Sequence, residues 1–255
     1  MFVGAGVTFW KRLSLGAEYL YYFGNIDRIT RMDYLNTSYR SVRTGNELAI
    51  RGSTGKFGLQ YEQKLGGNVS MIVGATYRMS AKMDGYSTNY RYTTQSSVVD
   101  TLTHKVDTLA YGNLCFGDEI GVGISVKGGD KWHAEFNYLR SGWDKSGMDN
   151  APGFSAIGDL KFSTTTSQSY RLGFEFVPNR NDIRYYMKRC AYRAGVYYDQ
   201  AYYKLDGNNI NSMGVTLGMT LPVFRWYNGL TVGVDFGQKA SMREGMVRER
   251  YAKLA

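Results

Sequence analysis

The stretch Ile120-Gly-Val-Gly-Ile-Ser-Val-Lys-Gly-Gly-Asp-Lys-Trp-His-Ala-Glu-Phe-Asn-Tyr138 decides the fold class. Its first half alternates Ile120, Val122, Ile124 and Val126 with Gly121, Gly123, Ser125 and Lys127. Its second half alternates Trp132, Ala134, Phe136 and Tyr138 with Lys131, His133, Glu135 and Asn137. Successive side chains of a strand point to opposite faces, so a period of two with one apolar set marks a strand that is apolar on one side only. Gly128-Gly129-Asp130 between the halves is tight-turn sequence, because glycine adopts positive φ without a steric penalty. The whole stretch is one long antiparallel hairpin.

Outward from this hairpin the same period recurs in both directions. It predicts eleven strands with approximate spans 2–10, 13–24, 47–64, 69–92, 118–127, 131–144, 159–177, 188–204, 211–222, 229–240 and 246–255. Short turns at 11–12, 65–68, 128–130, 178–187 and 223–228 alternate with connections at 25–46, 93–117, 145–158, 206–209 and 241–245, most of them longer and more polar. No segment reads as a long helix, and no run reaches the roughly 18 to 20 apolar residues of a membrane helix. Short turns at one rim and long loops at the other describe an all-β, antiparallel up-and-down transmembrane β-barrel. A soluble sandwich also alternates apolar with polar residues. Several of the predicted strands nevertheless run to 16 residues or more, against about 5 to 6 in ordinary globular sheets.

The composition fits this reading. The 255 residues include 22 Tyr and 31 Gly against 3 Pro, 2 Cys and 2 His, and 43% are hydrophobic. That aromatic content exceeds what disordered chains carry. Cys115, Cys190, His104 and His133 are scattered without zinc-ligand spacing, so no metal and no cofactor are expected. The aromatics Tyr19, Tyr21, Tyr77, Trp132, Tyr138, Trp143, Tyr198, Trp226 and Tyr227 are expected to form girdles at the membrane interfaces, where a ring keeps its body in lipid and its polar tip in water. On the opposite face stand Glu18, Glu62, Arg78, His133, Glu135, Arg171, Glu175, Arg193, Asp199 and Asp235. A charge facing lipid near the midplane costs roughly 2 to 4 kcal/mol for Arg or Lys, so these are assigned to the lumen. Arg171, Glu175 and Arg193 are expected to share one ionic network.

The formal charge is +9. Arg28, Arg31, Arg40 and Arg43 fall in one predicted loop, and Arg180, Arg184, Lys188 and Arg189 lie near one short turn, without the single basic face of a nucleic-acid binder. Outer-membrane lipids and lipopolysaccharide are the expected anionic partners. Glu135 beside His133 has neither a nucleophile nor an orienting group, and phosphate-loop and lipase motifs are absent, so no enzyme is expected.

The segment from Asp118 to Trp143, with its E-x-G-x-G-x-S strand, its Lys131-Trp132 pair and its aromatic-rich second strand, resembles the central hairpin of the long-chain fatty-acid transporter (FadL/TodX) family. Ser169-Tyr-Arg-Leu-Gly-Phe-Glu-Phe176, Tyr192-Arg-Ala-Gly-Val-Tyr-Tyr198 and Gly214-Val-Thr-Leu-Gly-Met-Thr-Leu-Pro222 are similar to its carboxy-terminal hairpins. The resemblance covers residues 118–255, while residues 1–117 fit generically. It implies a fourteen-stranded barrel around an N-terminal hatch, moving hydrophobic small molecules such as fatty acids across the outer membrane of a Gram-negative bacterium. Eleven strands are an odd number, and Arg250-Tyr-Ala-Lys-Leu-Ala255 stops in mid-alternation. The chain is therefore expected to be a single barrel domain over 1–255, incomplete at the N-terminus by upstream strands and hatch and at the C-terminus by the end of its last strand. Two functions remain open: a channel holding a hydrophobic ligand in its lumen, and a structural or accessory barrel with protein partners in an outer-membrane complex for protein insertion or export.

Overall fold

The computed structural model describes residues 1–34, 39–95, 98–150, 156–157, 160–224, 228–240 and 247–254. In chain order the strands are β1 (Phe2–Phe9), β2 (Leu13–Met32), β3 (Ser41–Gly66), β4 (Val69–Arg78), β5 (Ala81–Gln95), β6 (Val98–Phe116), β7 (Glu119–Gly128) and β8 (Trp132–Ser141). After two 3-10 turns, Trp143–Lys145 and Met148–Asn150, come β9 (Ala156–Ile157), β10 (Leu160–Thr164) and β11 (Ser167–Phe176). A third 3-10 turn, Tyr186–Arg189, precedes β12 (Ala191–Leu205), β13 (Asn208–Phe224), β14 (Asn228–Lys239) and β15 (Glu249–Leu254).

Eleven of these strands pair in the order β1-β2-β3-β4-β7-β8-β11-β12-β13-β14-β15, every pair antiparallel. This is the meander expected of an up-and-down barrel. Among the described residues β1 and β15 are the two edges of the path, and they are not paired to each other. The register of the deciding hairpin runs from Glu119↔Ser141 to Gly128↔Trp132, with Gly129 at φ 56° in the turn. The residue there takes the left-handed region, which glycine enters without strain.

The structure corrects the expected loops. Most of the described residues of 25–46 and 93–117 are strand and not irregular connection. β2 runs on to Met32, β3 begins at Ser41, and β6 occupies 98–116. The expected strand 69–92 is two strands. β4 stays beside β7, whereas β5 leaves the main path after Met79-Ser80 and pairs with the upper half of β3. The upper parts of β2, β3 and β5 together with β6 make a four-stranded extension beyond the meander, in the order β2-β3-β5-β6. The polar, Thr- and Tyr-rich composition that resembles a loop is here a sheet with little apolar core, held by its ladder bonds. The expected strand 159–177 is likewise interrupted at Thr165-Thr166, and β10 pairs with the far end of β12.

Burial is concentrated where the extension meets the meander. Leu48, Ala81, Met83 and Leu114 are 0 to 4% exposed, and Tyr22, Ile50, Phe116 and Met148 pack against them. Elsewhere the alternation leaves one face of the meander apolar and open. Tyr19, Phe57, Tyr77, Val122, Phe136, Leu172, Phe174, Val196, Leu217, Leu230 and Phe236 are each about 40 to 57% exposed on it. An apolar band of this extent on a monomer marks a surface that some apolar phase or partner covers.

Candidate functional site: the polar concave face and its mouth

The other face of the meander is concave. Val7 and Thr8 of β1 line the same cavity as Asp199 and Tyr202 of β12, so the sheet curls around it; its volume is about 1020 Å³. The register sorts the polar side chains into rows. Glu18, Lys56, Arg78, Glu119 and Ser141 are successive neighbours nearest the extension. Below them Gly6, Gly16, Gly58, Thr76 and Gly121 form a row with almost no side-chain volume. Then come Ser14, Gln60, Gly74, Gly123, Asn137, Arg171 and Tyr197, and, nearest the short turns, Lys127, His133, Glu175 and Arg193. The cavity is large on the β1 to β7 side because glycines leave it unfilled. On the β8 to β12 side ionic side chains line it, and a further cavity of about 690 Å³ lies among His133, Glu135, Arg171, Glu175 and Arg193.

The side chains assigned to the lumen do share this face, and most are paired. Arg78 Nη1 donates to the Tyr22 hydroxyl at 2.9 Å, while Nη2 lies 3.5 Å from the Glu119 carboxylate, which also accepts from Ser141 Oγ at 3.0 Å. Arg193 Nε donates to Glu175 at 2.6 Å and its Nη1 to Thr220 at 2.9 Å. Arg171 is not part of that pair. It faces Asp199 at 3.7 Å, so the single network expected of Arg171, Glu175 and Arg193 is two separate pairs. The reason is register, which sets Arg193 opposite Glu175 but Arg171 opposite Tyr197. Asp235 accepts from the Tyr197 hydroxyl at 3.0 Å, and that hydroxyl also meets Tyr251 at 2.6 Å. His133 Nε2 lies 2.7 Å from Ser125 Oγ, and Glu135 accepts from Asn137. Glu18 and Glu62 hold their places in the rows opposite Lys56 and Ile72.

Of the aromatics, Tyr19, Tyr21, Tyr77, Trp132, Tyr138 and Tyr198 stand on the apolar face by alternation. Tyr138, Tyr170 and Tyr198 form a row of rings 4.8 and 6.3 Å apart across β8, β11 and β12. Trp226 and Tyr227 lie outside the described residues. Trp143 is a correction. It is half-buried in the 3-10 turn after β8 and belongs to a chain of rings running Tyr22, Phe116, Trp143, Tyr202, Tyr203, with centroid separations of 5.1, 5.5, 5.3 and 5.2 Å. Tyr22 is on β2 and Tyr202 on β12, with β3, β4, β7, β8 and β11 between them in the sheet. The chain of rings is therefore a chord across the curl, above the row that holds Arg78.

Backbone bonds hold the chord in place. Gly142 N–H donates to Asp118 O at 2.8 Å, Cys115 N–H to Ser146 O at 2.8 Å, and the fully buried Ser146 hydroxyl donates to Thr164 at 3.2 Å. Gly147, at φ 71°, packs its α carbon against the Asn113 carbonyl where a Cβ has no room. The sequence reading missed Tyr22, Lys56 and Glu119 as members of the polar face. The parity of Glu18 and Arg78 was the signal that places them there.

Among the described residues no group of three or more His, Cys, Asp or Glu side chains is arranged to hold a metal ion.

The toluene transporter TbuX of Ralstonia pickettii matches with a TM-score of 0.52 at 16% identity, over 98% of this chain and 64% of that one, which shows a shared fold. The CymD monoaromatic hydrocarbon channel (TM-score 0.49, 17% identity, 92% of this chain and 66% of that one) and the Pseudomonas putida toluene transporter TodX (0.49, 14%, 99% and 66%) also match. The chain thus spans slightly under two thirds of the length of each. No curated protein sequence matches it. The family model BamG matches residues 1–255, and the chain belongs to the BamG family.

Proposed function

We propose that this chain is a bacterial outer-membrane barrel whose task is structural or accessory: a subunit of a larger outer-membrane complex that inserts or exports other proteins. The observation that carries this reading is the ion-paired interior beneath a bridged mouth. An aromatic chord bridges the mouth, and the polar face below it is cross-linked by Arg78 to Glu119, Arg171 to Asp199 and Arg193 to Glu175. An apolar solute gains nothing from such a lining, because it would displace water from charged groups without offering them hydrogen bonds. The apolar band on the convex face, with tyrosines and tryptophan among its residues, supports a lipid-facing surface. Affinity purification from detergent-solubilised outer membranes tests the proposal. Stoichiometric protein partners are expected, and a chain that purifies alone under gentle conditions would count against it.

The second reading is a channel for hydrophobic small molecules such as fatty acids. The cavity of about 1020 Å³ supports it, since Gly6, Gly16, Gly58, Gly74, Gly121 and Gly123 leave a passage along the β1 to β7 wall, and the shared fold with a toluene transporter supports it too. Saturable uptake of an apolar compound into liposomes containing the purified chain would establish it.

A further inference from the structure

The connection from β11 to β12 differs from the other short turns. Fourteen residues, 177–190, lie between the strands, with a 3-10 turn over Tyr186–Arg189. Val177 and Cys190, 2% and 0% exposed, anchor its two ends. Asn179 N–H donates to Lys188 O at 2.8 Å, and the Asp182 carboxylate accepts from the backbone N–H groups of Tyr185 at 2.7 Å and Arg184 at 2.9 Å. Tyr192 stands on the convex face, and its hydroxyl donates to the Met187 carbonyl at 3.1 Å. The turn is therefore drawn toward the convex face.

This turn gathers cations. Lys188 Nζ lies 4.5 Å and Arg184 Cζ 5.5 Å from the centre of the Tyr185 ring, and Arg189 Cζ lies 5.0 Å from that of Tyr186. Asp182 is the carboxylate beside them, 3.7 Å from Lys188, and it is already committed to two backbone N–H groups. Among the described residues neither Arg184 nor Arg189 has a carboxylate within 4.0 Å, and Arg189 Nε is buried with no hydrogen-bond partner. Arg184 and Lys188 share the Tyr185 ring, so their like charges repel, and a bound anion relieves the repulsion. Ile183 at the tip is 100% exposed and Met187 54% exposed, an apolar edge beside the cations.

An apolar groove of about 500 Å³ begins at Tyr192 itself. It runs along the convex face between Phe176, Ala194, Leu217, Met219 and Val232. That volume falls within the roughly 300 to 1,000 Å³ of small-molecule sites. A cationic cluster joined end to end with an apolar groove matches an anionic amphiphile and not an acidic peptide, which has no use for the groove.

We infer that the β11–β12 turn and this groove form a site for one anionic phospholipid. Arg184, Lys188 and Arg189 hold the phosphate, and an acyl chain lies in the groove along Phe176 and Met219. The inference rests on the reading that the convex face meets lipid.

The test is native mass spectrometry of the full chain in non-ionic detergent, titrated with dioleoyl phosphatidylglycerol, with dioleoyl phosphatidylcholine and with inorganic phosphate. One phosphatidylglycerol is expected to bind at a concentration about tenfold lower than phosphatidylcholine, a difference worth about 1.4 kcal/mol, and millimolar inorganic phosphate is expected not to displace it. The triple variant R184Q/K188Q/R189Q should abolish the preference, and Ala194→Trp, which fills the groove and keeps every charge, should weaken both lipids. Lys11→Gln, on another turn, should behave as the unmodified chain, and heat-modifiable migration on gels checks that each variant folds. Equal binding of the two lipids, unchanged by either set of substitutions, overturns the inference. So does displacement by inorganic phosphate alone, and so does a triple variant that loses a co-purifying acidic protein while its lipid binding stays intact. Extraction of the chain into buffer without detergent would instead refute the lipid-facing reading, so the two failures are distinguishable.

Discussion

Arg78 reaches Tyr22 across the curl of the sheet. Its Nη1 donates to the Tyr22 hydroxyl at 2.9 Å although the two residues are 56 positions apart, and its other nitrogen faces Glu119 at 3.5 Å. Arg78 ties together β2, β4 and β7 just below the aromatic chord.

Removing this tie should leave Glu119 without its cation in a setting where the two side chains are only 12% and 24% exposed. Arg78→Met is expected to lower stability by about 1.5 to 3 kcal/mol, the range for hydrogen bonds to charged groups. Glu119→Gln alone should cost less. The double variant should lose less than the sum, which denaturant titration of the refolded barrel in detergent would measure. Strict additivity would mean the two groups do not interact.

The chord crosses the mouth through Trp143, whose ring lies 5.5 Å from Phe116 and 5.3 Å from Tyr202. Trp143→Ala breaks both contacts and is expected to raise the single-channel conductance of the chain in planar bilayers from near the baseline to a measurable step. Phe9→Ala, at the opposite rim, should not. Unchanged conductance in the Trp143 variant would show that the chord does not limit passage.

Leu48 is fully buried at the root of the extension, against Ala81, Met83 and Leu114. Leu48→Ala should cost about 2 to 5 kcal/mol, the usual range for such a truncation. Because the other buried residues described in the extension, such as Ser87, Thr88 and Thr93, are polar, the loss should appear as local opening of β5 and β6. Hydrogen exchange is expected to accelerate in 81–116 and not in β11 to β14.

Asp182 makes the β11–β12 turn sensitive to acid. The backbone N–H of Tyr185 above all, then that of Arg184 and the Lys188 ammonium, hold its carboxyl below the ordinary value of 3.8. A group depressed on folding stabilises fully above its unfolded value and loses that contribution as pH falls through the folded one. Between pH 6 and pH 3 the thermal midpoint of the unmodified chain should therefore fall further than that of Asp182→Asn. Equal falls would show that Asp182 contributes nothing to the turn.

What the sequence determined by itself follows from the period of two. Alternation such as Ile120 to Val126 against Gly121 to Lys127 sets strand, face and partner, since a slip of one residue would turn every apolar side chain to the wrong side. The eleven-strand meander and the common face of Glu18, Arg78, Glu135, Arg171 and Arg193 were legible for that reason. Polar two-sided segments carry no such signal. In 24–32 and 98–108 neither face is buried, so nothing in the sequence separated a projecting sheet from a loop, and only the pairing of β2 with β3 and of β6 with β5 decided it. Which charges meet was also beyond the sequence, because alternation orders residues along one strand and not across two. The register set Arg193 against Glu175 and left Arg171 to Asp199. The curvature of the sheet then brought Tyr22, Phe116, Trp143 and Tyr202 together from distant parts of the chain, and that closure exists only in three dimensions.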